Sequence, residues 1–387
     1  MRDFCWFNPT RIVLGKGVLA QMGELASHYG KKALLHYGGG SIFKNDVYRQ
    51  VTESLRAAGI EYTELGGVKP NPRLETVYEG IRLVKQEHLD MILCVGGGSV
   101  IDSGKAIAMG AVYDGDVWDL YTKGVVPTKV LPIGVALTIP AAGSESSDGS
   151  VITKEDENLK RSCCNDLQFP RFALLDPAVC ATLPRRQIAA GGVDMLSHIM
   201  ERYFSREPHT DVSDRLCEGA MLALMNWLPV VLKNPEDTEA WAEVMWGGNV
   251  AHNGLLGKGR EEDWASHAIE HELSGQYDIA HGAGLSIVMP AWMKYVYRDH
   301  LPRFVQFARR VMQVNFPEDE PERTALEGIE RIERFFASLG TPVRLGEAGI
   351  DGSHIDEMAR KCCENGTVGH FRVLNAKDVA HILRSAL

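Results

Sequence analysis

Several common signatures are missing from this chain. There is no G-x-G-x-x-G, so the ordinary dinucleotide fingerprint is not satisfied. H-E-x-x-H is absent too, which argues against a zincin-type protease. No basic run occurs, and the formal net charge is −10. Binding to phosphate backbones or anionic membranes needs clustered Lys and Arg, so neither nucleic acid nor a membrane surface is expected as a partner. Long uninterrupted apolar runs are lacking as well. The longest, such as Val125–Ile139, are broken by Pro, Lys, Thr and Gly, and none reads as a bilayer span. The first residues hold acidic Asp3 and no apolar core of a secretory signal, so the expected location is the cytoplasm. CxxC does not occur among the eight cysteines, and the vicinal pairs Cys163–Cys164 and Cys362–Cys363 are poorly placed for unstrained bridges. Reduced thiols in a reducing compartment follow.

What is present divides in two. A length of 387 residues suits two domains. In the first half, short apolar runs alternate with amphipathic stretches. Strands are expected at Lys32–Tyr37, Ile60–Leu65, Leu89–Val95 and Val130–Leu137, with helices at Asp46–Ala58, Leu74–Glu87 and Val100–Val112. That alternation predicts a largely parallel, doubly wound α/β sheet over residues 1–183. From Pro184 onward the period is helical throughout, with helices expected at Pro184–Phe204, Asp211–Leu232, Glu239–Asn253, Asp263–Ser274, Gly284–Tyr297, Leu301–Val314, Glu320–Leu339 and Ile355–Glu364. Residues 184–387 are therefore expected to form an all-helical domain.

Three loops in the first half invite a phosphate-bearing ligand. Gly96-Gly97-Gly98-Ser99 closes a buried strand and opens a helix, where bare backbone and the helix dipole suit a pyrophosphate. Thr138–Ser147 is a second small, hydroxyl-rich loop after a strand. Gly38-Gly39-Gly40-Ser41 ends the first expected strand. An NAD-preferring fold often carries a carboxylate there for the ribose 2′-hydroxyl, but here none occurs before Asp46, and Lys44 is near. An uncharged loop leaves room for a 2′-phosphate, so NADP(H) is expected over NAD(H).

The second half holds the metal-binding chemistry. Asp194 and His198 are four apart on one helical face. His267 and His271 repeat that spacing, and His281 follows a turn-rich stretch. One carboxylate with imidazoles suits Zn2+, Fe2+ or a similar ion. Spacing alone leaves open which of the five are ligands, and it leaves open whether Glu270 in H-A-I-E-H supports a ligand or is merely solvated.

At these residues the chain resembles the iron-containing (group III) alcohol dehydrogenases, within them the NADPH-dependent aldehyde reductase and butanol dehydrogenase branch. The resemblance runs through PTRIVLGKG (9–17), YGGGS (37–41), PNP (70–72), GGGSVID (96–102), GSES (143–146), LDP (175–177), GGVDMLSH (191–198), DWASHAIEHEL (263–273) and AHGAGLSIVMPA (280–291). It implies a dinucleotide-binding α/β domain followed by an all-helical metal-binding domain, an architecture similar to that of dehydroquinate synthase. It implies Asp194, His198, His267 and His281 as ligands of Fe2+ or Zn2+, and His271 as a catalytic residue beside the nicotinamide. Gly38, Gly39, Ser41, Asn71, Gly97, Gly98, Ser99, Asp102, Thr138, Ser144 and Lys160 fall at its cofactor-binding positions. The activity implied is reduction of small to medium aldehydes to primary alcohols with NADPH, and the reverse, by a homodimer. Trp264 and Val151–Thr153 are expected to line the substrate crevice. Competing readings are an NAD-dependent polyol or glycerol dehydrogenase of the same fold, a lyase related to dehydroquinate synthase, and a redox sensor built on the vicinal cysteines. The lyase should need a Lys/Arg cluster for a phosphorylated substrate, and none accompanies the metal stretches.

Overall fold

The computed structural model describes residues 1–387, and the chain divides into two compact units. One is an α/β unit comprising Phe7–Leu183 and Lys233–Asn253; the other is a helical unit comprising Met1–Trp6, Pro184–Leu232 and Gly254–Leu387.

The α/β unit is built on a six-stranded sheet. Its strands are β1 (Arg11–Leu14), β2 (Lys32–Gly38), β3 (Glu61–Val68), β4 (Met91–Gly96), β5 (Ile133–Leu137) and, after the hairpin β6 (Gly149–Lys154) and β7 (Leu159–Cys164), β8 (Phe172–Leu175). The order is β1-β8-β5-β4-β2-β3, and every pairing is parallel. The central strands β4 and β5 are buried at every position, so they read as continuous apolar runs rather than alternating ones. Chain direction across the sheet reverses between β2 and β4. Such a switch point opens a crevice at the carboxyl ends of the strands, where ligands of doubly wound folds bind. The loops after β2, β4 and β5, three adjacent strands, therefore project from that end.

Four strands and three helices, Met22–Ala26, Asp119–Thr122 and Ala376–Ser385, were not legible in the sequence. Strands β1 and β8 have four residues each, too few to show a period. The antiparallel hairpin β6–β7 is half-polar and lies apart from the main sheet. The last helix, Ala376–Ser385, is announced only by the Asn375 capping box. A division after Leu183 also differs from the observed units. The helix Thr238–His252 belongs with the α/β unit, where Asn249 Nδ2 donates to Glu145 Oε1 (3.0 Å) and Ser146 Oγ (2.9 Å).

In the helical unit, Phe204, Phe304, Phe307, Trp292 and Phe371 form one aromatic core, with Phe204 and Phe304 stacked at 4.6 Å. It anchors the helices Arg185–Tyr203 and His281–Val296. One helix, Asp211–Lys233, is long and apolar enough to cross a membrane by length and composition alone, a property it shares with core helices of globular proteins. Asp214 on this helix is buried and accepts from Arg260 (2.7 Å) and Arg303 (2.6 Å), which ties the helix into the protein core.

The helix after β4, Gly98–Gly110, lies tight on the sheet. A Cβ at Gly104 would collide with Cys94 Sγ of β4. We expect Gly104→Ala to destabilise the protein by about 1–3 kcal/mol in urea unfolding. Adding Cys94→Ala should recover part of the loss; an unchanged midpoint in the single variant would refute this packing account.

Candidate functional site

Two helices and the start of a third deliver the metal-ligand candidates. The helix Arg185–Tyr203 presents Asp194, His198 and Glu201 at i, i+4 and i+7, one face of an α-helix. Ala265–Tyr277 carries His267, Glu270 and His271, and His281 is the first residue of His281–Val296. Both ends differ from expectation. Trp264 takes a left-handed conformation (φ 66°), which delays the first of these helices to Ala265. His281 is helical, three residues ahead of the expected start at Gly284.

The side chains converge on one atom. Asp194 Oδ1 lies 3.4 Å from His198 Nδ1, 3.8 Å from His267 Nε2 and 3.7 Å from His281 Nε2. These separations are just too long for hydrogen bonds. They are close to the roughly 3.4 Å between neighbouring donors on a tetrahedral ion with bonds of about 2.1 Å. Asp194 Oδ1 and His267 Nε2 are both buried with no hydrogen-bond partner, an expensive arrangement unless something else satisfies them. Asp194, His267 and His281 mutually place a ligand atom within 4.8 Å. His198 lies outside that mutual set; it reaches Asp194, and its ring sits 4.6 Å from that of His267. A divalent cation fits this donor set.

Behind the two outer rings stand buried carboxylates. His267 Nδ1 lies 2.9 Å from Glu201 Oε1, and His281 Nδ1 contacts Glu270 Oε2. Both glutamates are fully buried. A carboxylate on one ring nitrogen fixes the tautomer and directs the other nitrogen to a metal. Glu270, left undecided by the sequence, thus has a definite partner. Glu201 escaped sequence reading altogether, although its place seven residues after Asp194 put it on the ligand face. Burial disfavours the His267 imidazolium, but Asp194 and Glu201 outweigh it and lift the ring to about 9 without metal.

A second group, Glu270, His271 and His281, also lies within 4.8 Å. Glu270 engages His281 at Nδ1, whereas His281 Nε2 lies 3.7 Å from Asp194 Oδ1. His271 is half-buried, with its ring 5.6 Å from that of His281. Trp264 walls the cluster, its ring 5.0 Å from His267 and 5.8 Å from His198, under the Arg202 guanidinium at 4.7 Å.

In the α/β unit, the glycines after β4 meet the loop after β5. A Cβ at Gly97 would stand 2.9 Å from Ile139 Cβ, and one at Gly98 would stand 2.9 Å from Ala142 Cβ. Ser99 follows in the first turn of the helix, and Thr138 N donates to Gly96 O (3.0 Å). Several expected cofactor-binding residues bond one another. Ser144 Oγ donates to Asp102 Oδ1 (2.6 Å), whose Oδ2 takes Val151 N (3.0 Å). Lys160 Nζ donates to Asn71 Oδ1 (3.1 Å). These pairs hold the loop after β5, the hairpin and the Pro70–Pro72 turn together. Lys105, which sequence reading passed over, is fully buried and donates to Ser147 O (2.9 Å) and Gly149 O (2.7 Å). Burial lowers its pKa and raises that of nearby Asp102, each partly offset by the other's charge. The sequence signal for it was a lone lysine in an apolar helix, three residues after Asp102. At the end of β2, Gly38, Gly39 and Ser41 form a thinly covered loop; no atom lies within 4 Å of a Cβ built at Gly39.

Comparison with known proteins places this geometry. Residues 9–177 match the family described as iron-containing alcohol dehydrogenase, and residues 188–387 match the C-terminal region of the Fe-containing alcohol dehydrogenase family. The chain is 42% identical to a probable NADH-dependent butanol dehydrogenase 1 of Bacillus subtilis (strain 168) over the full length of both. It is 37% identical to the NADPH-dependent aldehyde reductase YqhD of Escherichia coli (strain K12), covering 95% of this chain and 94% of that one. The crystal structure of an NADH-dependent butanol dehydrogenase A from Thermotoga maritima superposes with a TM-score of 0.96 at 40% identity, over 100% of this chain and 99% of that one. The chain belongs to the iron-containing alcohol dehydrogenase family, metal-dependent oxidoreductases of alcohols and aldehydes that use a nicotinamide cofactor.

Proposed function

We propose that the protein reduces small to medium aliphatic aldehydes to primary alcohols with NADPH, and catalyses the reverse. The observation that carries this reading is the convergence of three imidazoles on the buried, unsatisfied Asp194 Oδ1. Asp194, His198, His267 and His281 would hold one divalent ion, Fe2+ or Zn2+, with His198 the least closely gathered of the four. When bound, the ion supplies Lewis acidity to the substrate oxygen, and the nicotinamide supplies the hydride.

The chain's own residues do the rest. Glu201 and Glu270 hold His267 and His281 in one tautomer. The Trp264 ring gives the cluster an apolar wall. His271, half-exposed and outside the Asp194 set, is suited to pass a proton between the alcohol oxygen and solvent. In the α/β unit the loops after β2, β4 and β5 would take the dinucleotide, with Asp102 and Lys105 holding the loop after β5 and Lys160 the Pro70–Pro72 turn.

Preference for NADP(H) is supported at Gly38. A Cβ there would meet nothing closer than Val100 Cγ2 at 3.7 Å, so packing does not demand glycine. The missing carboxylate is better explained by room for a 2′-phosphate. The names of the relatives divide between NADH and NADPH, so the assay decides. We also propose a cytoplasmic homodimer, which an edge strand such as β1 would suit.

In an aldehyde series, kcat/KM with NADPH should exceed that with NADH by at least about tenfold, or ~1.4 kcal/mol; an excess for NADH overturns the assignment. His267→Ala should abolish metal retention and activity together, by elemental analysis and assay of one sample. For His271→Ala the expected result is turnover about 100- to 10,000-fold slower with metal content unchanged. Loss of metal in that variant would put His271 among the ligands.

A further inference from the structure

The helix Ala265–Tyr277 carries His267; its N-cap residue Trp264 sits at positive φ and makes no side-chain cap, and the neighbouring Asp263 Oδ2 takes only the first helical amide, Ala265 N (3.2 Å). A left-handed conformation is unfavourable for a bulky aromatic residue and persists only when its surroundings impose it. The imposing group comes from the other ligand helix. Glu201 Oε2 accepts from Trp264 N (2.9 Å), and Oε1 accepts from His267 N (2.9 Å) while lying 2.9 Å from His267 Nδ1. The main-chain Glu201 O also takes Asp263 N (3.0 Å). In an ordinary capping box, two side chains of one helix end satisfy the N-cap and N3 amides. Here a single buried carboxylate from a different helix satisfies both, together with the ring of the N3 residue.

We propose that Glu201 is a positioning residue that couples the two ligand helices. One side chain sets the start of the second helix, the φ of Trp264 and the tautomer of His267, and so fixes the separation of His267 Nε2 from Asp194. Because Asp194, His198 and Glu201 share one helical face, the helix that supplies two ligands also sets the place of a third. The inference rests on the metal reading above and extends it to a residue that binds neither metal nor substrate.

Glutamine at this position keeps the size but has only one acceptor oxygen, and its amide would confront the Trp264 or His267 N–H. The test uses Co2+ added to metal-stripped full-length protein, with ligand-field absorption and chelator competition as readouts. Melting temperature is measured with and without Co2+. We expect Glu201→Gln to bind Co2+ about 10- to 100-fold more weakly than the wild type, with a shifted ligand-field band and a smaller Co2+-induced rise in melting temperature. A merely structural role would lower both melting temperatures equally and leave Co2+ affinity and spectrum at wild-type values; that result overturns the proposal. Should Glu201→Gln not fold, Glu201→Asp keeps the charge at the helix start but is one methylene short of the ring. It should show the same weakening, and wild-type affinity there overturns the proposal. Wild-type protein that fails to bind Co2+ would refute the metal reading itself, a distinct outcome.

Discussion

A carboxylate oxygen buried without a hydrogen-bond partner is the constraint on which the metal-ligand cluster of the helical unit depends. Asp194 Oδ1 has three imidazole nitrogens within 3.8 Å and makes no hydrogen bond to any of them. Glu201 and Glu270, both fully buried, add two more carboxylates behind the rings. So much acidic charge out of water is tolerable only with compensating cations. The Asp194 and Glu201 carboxylates raise the His267 pKa despite its burial. A divalent ion compensates the same carboxylates and satisfies the unpartnered donor atoms.

The α/β unit meets a different demand, which is to hold polar loops rigid at the ends of apolar strands. Glycines at 97 and 98 admit the loop after β5 to within van der Waals contact. The buried Lys105 and the half-buried Asp102 then tie that loop and the hairpin to the helix Gly98–Gly110. The residues that shape the loops are thus as polar as those expected to touch a dinucleotide, and motif matching does not separate the two roles. Asp102 shows this well, since both of its oxygens are spent on Ser144 and Val151.

Much of this was legible along the chain. Apolar runs of five or six residues marked the central strands, because strands buried on both faces have no polar side to disguise them. Spacing by four paired Asp194 with His198 and His267 with His271, because the helix repeat puts such residues on one face. The same rule also made His267 and His271 look equivalent. They diverge because His281, at the head of the next helix, turns toward Asp194, and Glu270 occupies its other nitrogen. The starts of the two histidine helices were misplaced for a related reason. The positive φ of Trp264 is maintained by Glu201, a residue remote in sequence. Strands β1 and β8, four residues each, owe their identity to sheet neighbours rather than to any pattern of their own.

Local regularities therefore determined by themselves the fold class, the helical face bearing Asp194 and His198, and the small-residue loops after the buried strands. These depend only on repeat geometry and on where glycine stands. Tertiary structure alone decided which imidazoles meet, which nitrogen of each faces Asp194, and which carboxylates stand behind them. It also placed the helix Thr238–His252 with the α/β unit. Those outcomes depend on distances of a few ångströms between residues far apart in the chain, and periodicity carries no information about them.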